Sequence, residues 1–227
     1  SIEDEGLSKK DFQSINDLET LAESAFSVTD KTFEEDLKKD YNIRSVIVKQ
    51  DSKKKLKVAM LIRTSTVFIS FRGTDNVANH YSNLKIKTQK YTLPIESNDP
   101  DSEGSESKEE TKFVRFKGSV HSGFLDSYKK LRYATFEFVE KIVEKEISNI
   151  CISGVSLGGA LANLFVLDFV KIMKERLPEQ FFVVNLLTFG APRVGDQKNA
   201  DAVNEAVNGW NMRLTFKDDL VPELLGS

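Results

Sequence analysis

The sequence predicts an α/β fold with a mostly parallel central sheet and helices on both faces, and three observations carry that prediction. From residue 113 onward, short β-branched runs alternate with longer amphipathic segments, the pattern of parallel strands joined by crossover helices. Residues 149–153 (NICIS) run straight into Gly154-Val155-Ser156-Leu157-Gly158 and then an apolar stretch at helical spacing, so strand, tight turn and helix follow one another. Three strand-like runs at 44–49, 56–63 and 66–71 come earlier. The turn signal Asp51-Ser52 separates the first pair, so they read as consecutive antiparallel strands at the start of the sheet.

Length and composition set the outer bounds. At 227 residues, 40% hydrophobic and 30% charged, the chain can bury one sizeable core and reads as a single domain. Its net charge of −3, with 32 basic residues dispersed among 35 acidic ones, leaves no broad positive field for nucleic acid. The apolar stretch after Ser156 is interrupted by Asn163, Asp168 and Lys171, so it reads as a buried helix and not as a membrane span. The amino-terminal SIEDEGLSKK lacks the apolar centre of a signal peptide, and the one cysteine, Cys151, has no partner for an internal disulfide. Both features favour a reducing, cytoplasmic compartment.

Taken in order, residues 14–26 place Ile15, Leu18, Leu21, Ala22, Ala25 and Phe26 on one helical face, with Ser14 and Asp17 at its entry. A second short helix is expected over 32–40, where Thr32 and Glu35 form a capping box. The third strand runs into Arg72-Gly73-Thr74-Asp75, followed by weak helical spacing through Val77, Tyr81 and Leu84. Residues 96–112 contain almost nothing apolar and read as a solvated loop insertion. Beyond them lie a strand at 113–116, one long helix from Phe124 to Ile142, and a buried strand from Phe181 to Phe189. A helix over 196–207 then stops at Asn208-Gly209, and an alternating run over 210–216 ends in Asp218-Asp219-Leu220-Val221-Pro222.

Chemistry concentrates at Ser156. A G-x-S-x-G turn between strand and helix lifts one serine onto an exposed corner, and the amides starting at Leu157 point unpaired N–H groups toward it. Without those neighbours the same residues would be only a turn that starts a helix. A nucleophilic serine needs a histidine base held by a carboxylate. Asp219 or Asp218, just past the next strand but one, occupies the acid position; either could equally be a solvated loop carboxylate.

Five stretches together resemble the class 3, fungal-type triacylglycerol lipases of the α/β-hydrolase fold. They are Phe71-Arg72-Gly73-Thr74, Val120 to Tyr128 (VHSGFLDSY), Gly154 to Ala160 (GVSLGGA), Thr188 to Gly195 (TFGAPRVG), and Arg213-Leu214-Thr215 with Asp219 to Pro222. The resemblance implies Ser156 as nucleophile and Asp219 as acid, with Thr74 and the Leu157 N–H as the oxyanion donors. It also implies a lid over 75–84 that includes Val77, His80 and Tyr81. It implies no cofactor and no metal, a lipid or small ester as substrate, and transient contact with a membrane surface.

Three departures from the family pattern matter. Val155 stands where the family usually has histidine. The lid is polar, with His80 where the family tends to have tryptophan, which favours a smaller or more polar ester. No histidine follows Asp219, since His80 and His121 both precede Ser156 and His121 reads as structural. The fold's last strand and helix would lie beyond residue 227. Two functions are therefore expected: an ester hydrolase of acylglycerols or phospholipids working through an acyl-enzyme on Ser156, or a lipase-like domain that binds without cleaving.

Overall fold

The computed structural model describes residues 43–53, 55–72, 87–95 and 112–215. The first strands are β1 (Ser45–Gln50), β2 (Lys57–Arg63) and β3 (Thr66–Phe71). They form because β-branched and aromatic residues alternate between turn residues. The Asp51 carboxylate accepts the amides of Lys55 and Leu56 at 2.7 and 2.8 Å, closing the first turn. The second hairpin turns at Thr64-Ser65, with Thr64 at φ 52°.

Short pairs follow: β4 (Thr88–Gln89) with β7 (Val120–His121), and β5 (Thr92–Pro94) with β6 (Phe113–Arg115). The core elements are then helix α1 (Ser122–Leu131), helix α2 (Tyr133–Val143), strand β8 (Asn149–Val155) and helix α3 (Leu157–Arg176). Strand β9 (Val183–Phe189), helix α4 (Gln197–Ala206) and strand β10 (Asn211–Leu214) complete them.

Six strands make the main sheet in the order β1-β2-β3-β8-β9-β10. The β1–β2 and β2–β3 pairs are antiparallel, while β3–β8, β8–β9 and β9–β10 are parallel. The predicted mixture is therefore present, antiparallel at one edge and parallel through the centre. The major core lies between one face of the sheet and the described helices, with Phe71, Phe124, Phe138, Phe165 and Phe169 fully buried in it. Phe165 packs against Phe71 at 5.1 Å and Phe169 at 5.2 Å, which fastens α3 across the sheet. On the opposite face Leu61, Phe68, Cys151 and Leu187 cluster with Trp210, Met212 and Leu214. The helices expected at 14–26 and 32–40 and the insertion expected at 96–112 lie outside the described residues, except for Lys112.

The single helix expected from Phe124 to Ile142 is two helices. The chain breaks at Arg132, whose amide bonds back to the Lys129 carbonyl in a tightened turn while its own carbonyl accepts from Thr135 at 2.9 Å. The break turns the Arg132 side chain inward, toward a carboxylate on α3. The helix over 197–206 starts where expected, with the Asp196 carboxylate accepting the Asn199 amide. Its Asn208 ties sheet to helix, accepting from the Val184 amide at 2.7 Å and donating to the Phe182 carbonyl at 2.8 Å.

Candidate active site

Ser156 sits between the last residue of β8 and the first of α3, at φ 54° and ψ −121°. Positive φ is rare for a residue with a side chain and costs on the order of 1–3 kcal/mol, so the surrounding structure must impose it. It does so from both sides. The Ser156 amide donates to the Phe189 carbonyl at the end of β9 at 2.8 Å, and the Ser156 carbonyl accepts from Gly159 and Ala160 in the first helical turn. The side chain is half-buried and does not cap the helix.

The glycines on either side permit the close approach. A Cβ on Gly154 would fall 2.3 Å from the Gly158 carbonyl carbon, and one on Gly158 would fall 2.1 Å from the Phe71 carbonyl oxygen. Strand, turn and helix therefore touch through backbone at the carboxyl ends of β3, β8 and β9, where parallel sheets gather their ligands. Leu157 is fully buried and opens α3, so its N–H belongs to the first turn and has no intrahelical acceptor. The positive end of a helix twenty residues long adds to that donor. The corner can thus present a hydroxyl beside a backbone donor, the arrangement that acyl transfer requires.

Of the residues the sequence singles out, Ser156 and Leu157 adjoin at this corner. Thr74, Val77, His80, Tyr81, Asp218 and Asp219 lie outside the described residues. His121 is buried at the entry to α1, where its amide donates to the Val194 carbonyl at 2.9 Å and its ring meets Phe124 edge-on at 6.0 Å. Among the described residues no group of three or more His, Cys, Asp or Glu converges, and no helix is long and apolar enough to cross a membrane.

Sequence reasoning missed a buried polar cluster further along α3. Asp168, treated only as an interruption of an apolar segment, accepts from Nε and Nη2 of Arg132 at 2.6 and 3.0 Å and from the Tyr128 hydroxyl at 2.7 Å. Arg132 also donates to the Pro94 carbonyl, so one side chain joins α1, α2, α3 and β5. Burial, and then the Asp168 charge, push the Tyr128 hydroxyl well above its ordinary range, and the same two causes in the same order raise Tyr91. The Tyr91 hydroxyl and the Asn199 amide nitrogen are both buried without a hydrogen-bond partner among the described residues. A carboxylate on an otherwise apolar helix was the available signal, because a buried charge requires a partner.

Residues 68–227 match the family model described as lipase (class 3). Over 168 residues the chain is 33% identical to secreted mono- and diacylglycerol lipase 2 of Gibberella zeae, a match covering 70% of this chain and 39% of that protein. It is likewise 33% identical over 171 residues to lipase A of Sodiomyces alcalophilus, again covering 70% and 39%. The match thus spans about two fifths of the length of these relatives. Lipase II from Rhizopus niveus has the same fold, with a TM-score of 0.65 at 21% identity over 96% of this chain and 76% of that one. The Gibberella relative is named as secreted, which corrects the cytoplasmic expectation drawn from the single cysteine and the amino-terminal residues. A lone buried thiol such as Cys151 is compatible with either compartment, because it serves packing.

Proposed function

This chain belongs to the class 3 lipase family, and on that premise we propose that it is an extracellular serine ester hydrolase that cleaves lipid esters through an acyl-enzyme on Ser156. The observation that carries the proposal is the strained corner, with φ 54° at a serine held between β9 and the first turn of α3. Strain of this kind is retained where geometry matters more than stability.

In this mechanism the Ser156 Oγ attacks the ester carbonyl carbon and its proton passes to a general base. The carbonyl oxygen becomes an oxyanion facing the Leu157 N–H and Thr74. Collapse expels the alcohol, which takes up the proton, and leaves the acyl group on Oγ. Water then repeats the sequence and releases the fatty acid. Asp219 is the proposed acid that orients the base. Neither His80 nor His121 is assigned as that base. The substrates named for the Gibberella relative, mono- and diacylglycerols, are the class proposed here, reached by transient contact with a lipid surface. The chain is proposed to act as one domain, with residues 96–112 an insertion, the segment around Val77, His80 and Tyr81 a lid, and no cofactor.

A second reading, a lipase-like domain that binds lipid without cleaving it, is favoured by one observation: both histidines of this stretch precede Ser156. A fluorophosphonate probe separates the two readings. An activated serine labels stoichiometrically and the Ser156→Ala variant does not. Absence of labelling in the unaltered chain favours the binding domain, or a hydrolase whose base lies outside these 227 residues.

A further inference from the structure

We propose that the cavity bounded by α3, α4, the loop after β9 and strand β10 binds a phosphate group carried on a small organic moiety. The cavity holds about 480 Å³ and is lined by Asn163, Arg193, Asp196, Asn199, Asn211 and Arg213, among others. This volume falls within the range of small-ligand pockets, roughly 300–1,000 Å³, and far exceeds what a bare inorganic anion needs.

The charge balance points to an anion. Arg193 and Arg213 both line the cavity, and among the described residues neither guanidinium is paired with a carboxylate. Against them the lining holds one carboxylate, Asp196, so among the described residues the concavity carries a net positive charge in a chain whose net charge is −3. The one carboxylate in the lining is already engaged. Asp196 accepts the Asn199 amide on one oxygen at 2.9 Å and the Ser119 amide on the other at 3.0 Å, as the cap of α4.

The donor set favours phosphate over carboxylate. Arg213 is held by one bond from Nη2 to the Ala191 carbonyl at 2.8 Å, which orients the guanidinium and leaves its other N–H groups for a ligand. Beside it on β10, Asn211 is held by Asn204 at 2.8 Å. A guanidinium is a planar fork that saturates the two oxygens of a carboxylate by itself. Two such forks on one cavity are better matched by a tetrahedral group with oxygens on several sides. The ligand is therefore a phosphate ester, either a free one such as a glycerophosphate or the headgroup of a phospholipid. This goes beyond ester hydrolysis at Ser156, and binding there requires no turnover.

The test is calorimetric titration of the 227-residue chain with sn-glycerol 3-phosphate, inorganic phosphate and acetate at constant ionic strength, with flotation on phosphatidylcholine vesicles containing lysophosphatidic acid as a further arm. We expect saturable binding of a phosphate-bearing probe, none of acetate, and a loss of about tenfold or more in affinity in Arg193→Gln, each tenfold being one strong charged contact. Lys174→Gln, outside the cavity, should bind as the parent does. Response to glycerol 3-phosphate identifies a soluble ester as the source, and response to the vesicles alone identifies the lipid headgroup. Arg213→Gln also removes the bond to Ala191 and can unsettle the fold. Arg193 is exposed, so its variant keeps the test decisive. Equal affinity in parent and Arg193→Gln, binding of acetate as tight as phosphate, an equal loss in Lys174→Gln, or no binding in any arm would overturn the proposal.

Discussion

Gly158 stands so close to Phe71 that a Cβ on it would lie 2.1 Å from the Phe71 carbonyl oxygen and 2.8 Å from the Arg72 carbonyl carbon. Both are backbone atoms, with no flexible side chain to swing aside. Helix α3 can therefore meet the end of β3 only through a residue without a side chain, and the seating of Ser156 depends on that contact. Gly158→Ala is expected to push the corner off the sheet, at a cost of about 1–3 kcal/mol. Fluorophosphonate reaction and urea denaturation should both register the change. A variant as reactive and as stable as the parent would contradict the contact.

The positive φ of Ser156 makes a separate prediction about backbone strain. Ser156→Gly and Ser156→Ala both remove the hydroxyl, so their difference isolates the conformation at φ 54°. The glycine variant should be the more stable by about 1 kcal/mol, because glycine adopts positive φ without a Cβ clash. Thermal unfolding decides it, and a more stable alanine variant would mean that the corner is unstrained.

The Arg132–Asp168 pair, with side chains 9% and 3% exposed, is an interior ion pair. Removing one partner leaves a buried charge, so Arg132→Met should cost about 3–5 kcal/mol. The double variant Arg132→Met/Asp168→Leu should recover much of that loss, since well-packed apolar residues can replace a buried pair at little cost. Chemical denaturation of the two singles and the double measures the coupling. Simple additivity would show that the pair does not act as a unit.

Alkaline pH should weaken the fold through Tyr91 and Tyr128. Both hydroxyls are raised from the ordinary tyrosine value of 10.0 by burial and then by the Asp168 charge. Above pH 10 the unfolded chain releases these protons while the folded chain keeps them, so the unfolded state is favoured as pH rises. The stability they contribute is complete below pH 10 and declines above it by up to about 1.4 kcal/mol per pH unit for each tyrosine. Tyr91→Phe should flatten the decline between pH 10 and pH 11. An unchanged slope would remove Tyr91 from the account.

Should ester hydrolysis be measured, Asp219→Asn is expected to lower kcat by roughly 10²–10⁴, and Asp218→Asn by much less. Comparable losses in the two variants would mean that the acid is misassigned.

The legible parts of this protein were those encoded by near neighbours. Short apolar runs over 66–71 and 181–189 marked strands, and β-branched residues followed by Gly-x-Ser-x-Gly marked the corner, because each signal lies within a few residues of what it shapes. Arg132 was not legible. Its local spacing continues a helix from Phe124 to Ile142, and the carboxylate that it meets lies thirty-six positions away. Asn208 was read as a helix stop, yet its amide serves the sheet through Val184 and Phe182, a role that exists only once β9 lies beside the end of α4.

By itself, the sequence determined the order of the main-sheet strands and the serine at the turn, because hydrophobic period and glycine placement act over short distances along the chain. Tertiary structure alone decided that Asp168 would face Arg132 and Tyr128, and that Arg193 and Arg213 would share a cavity. Side chains far apart in the chain meet only after the sheet and helices pack, and desolvation then determines which of their charges need a partner.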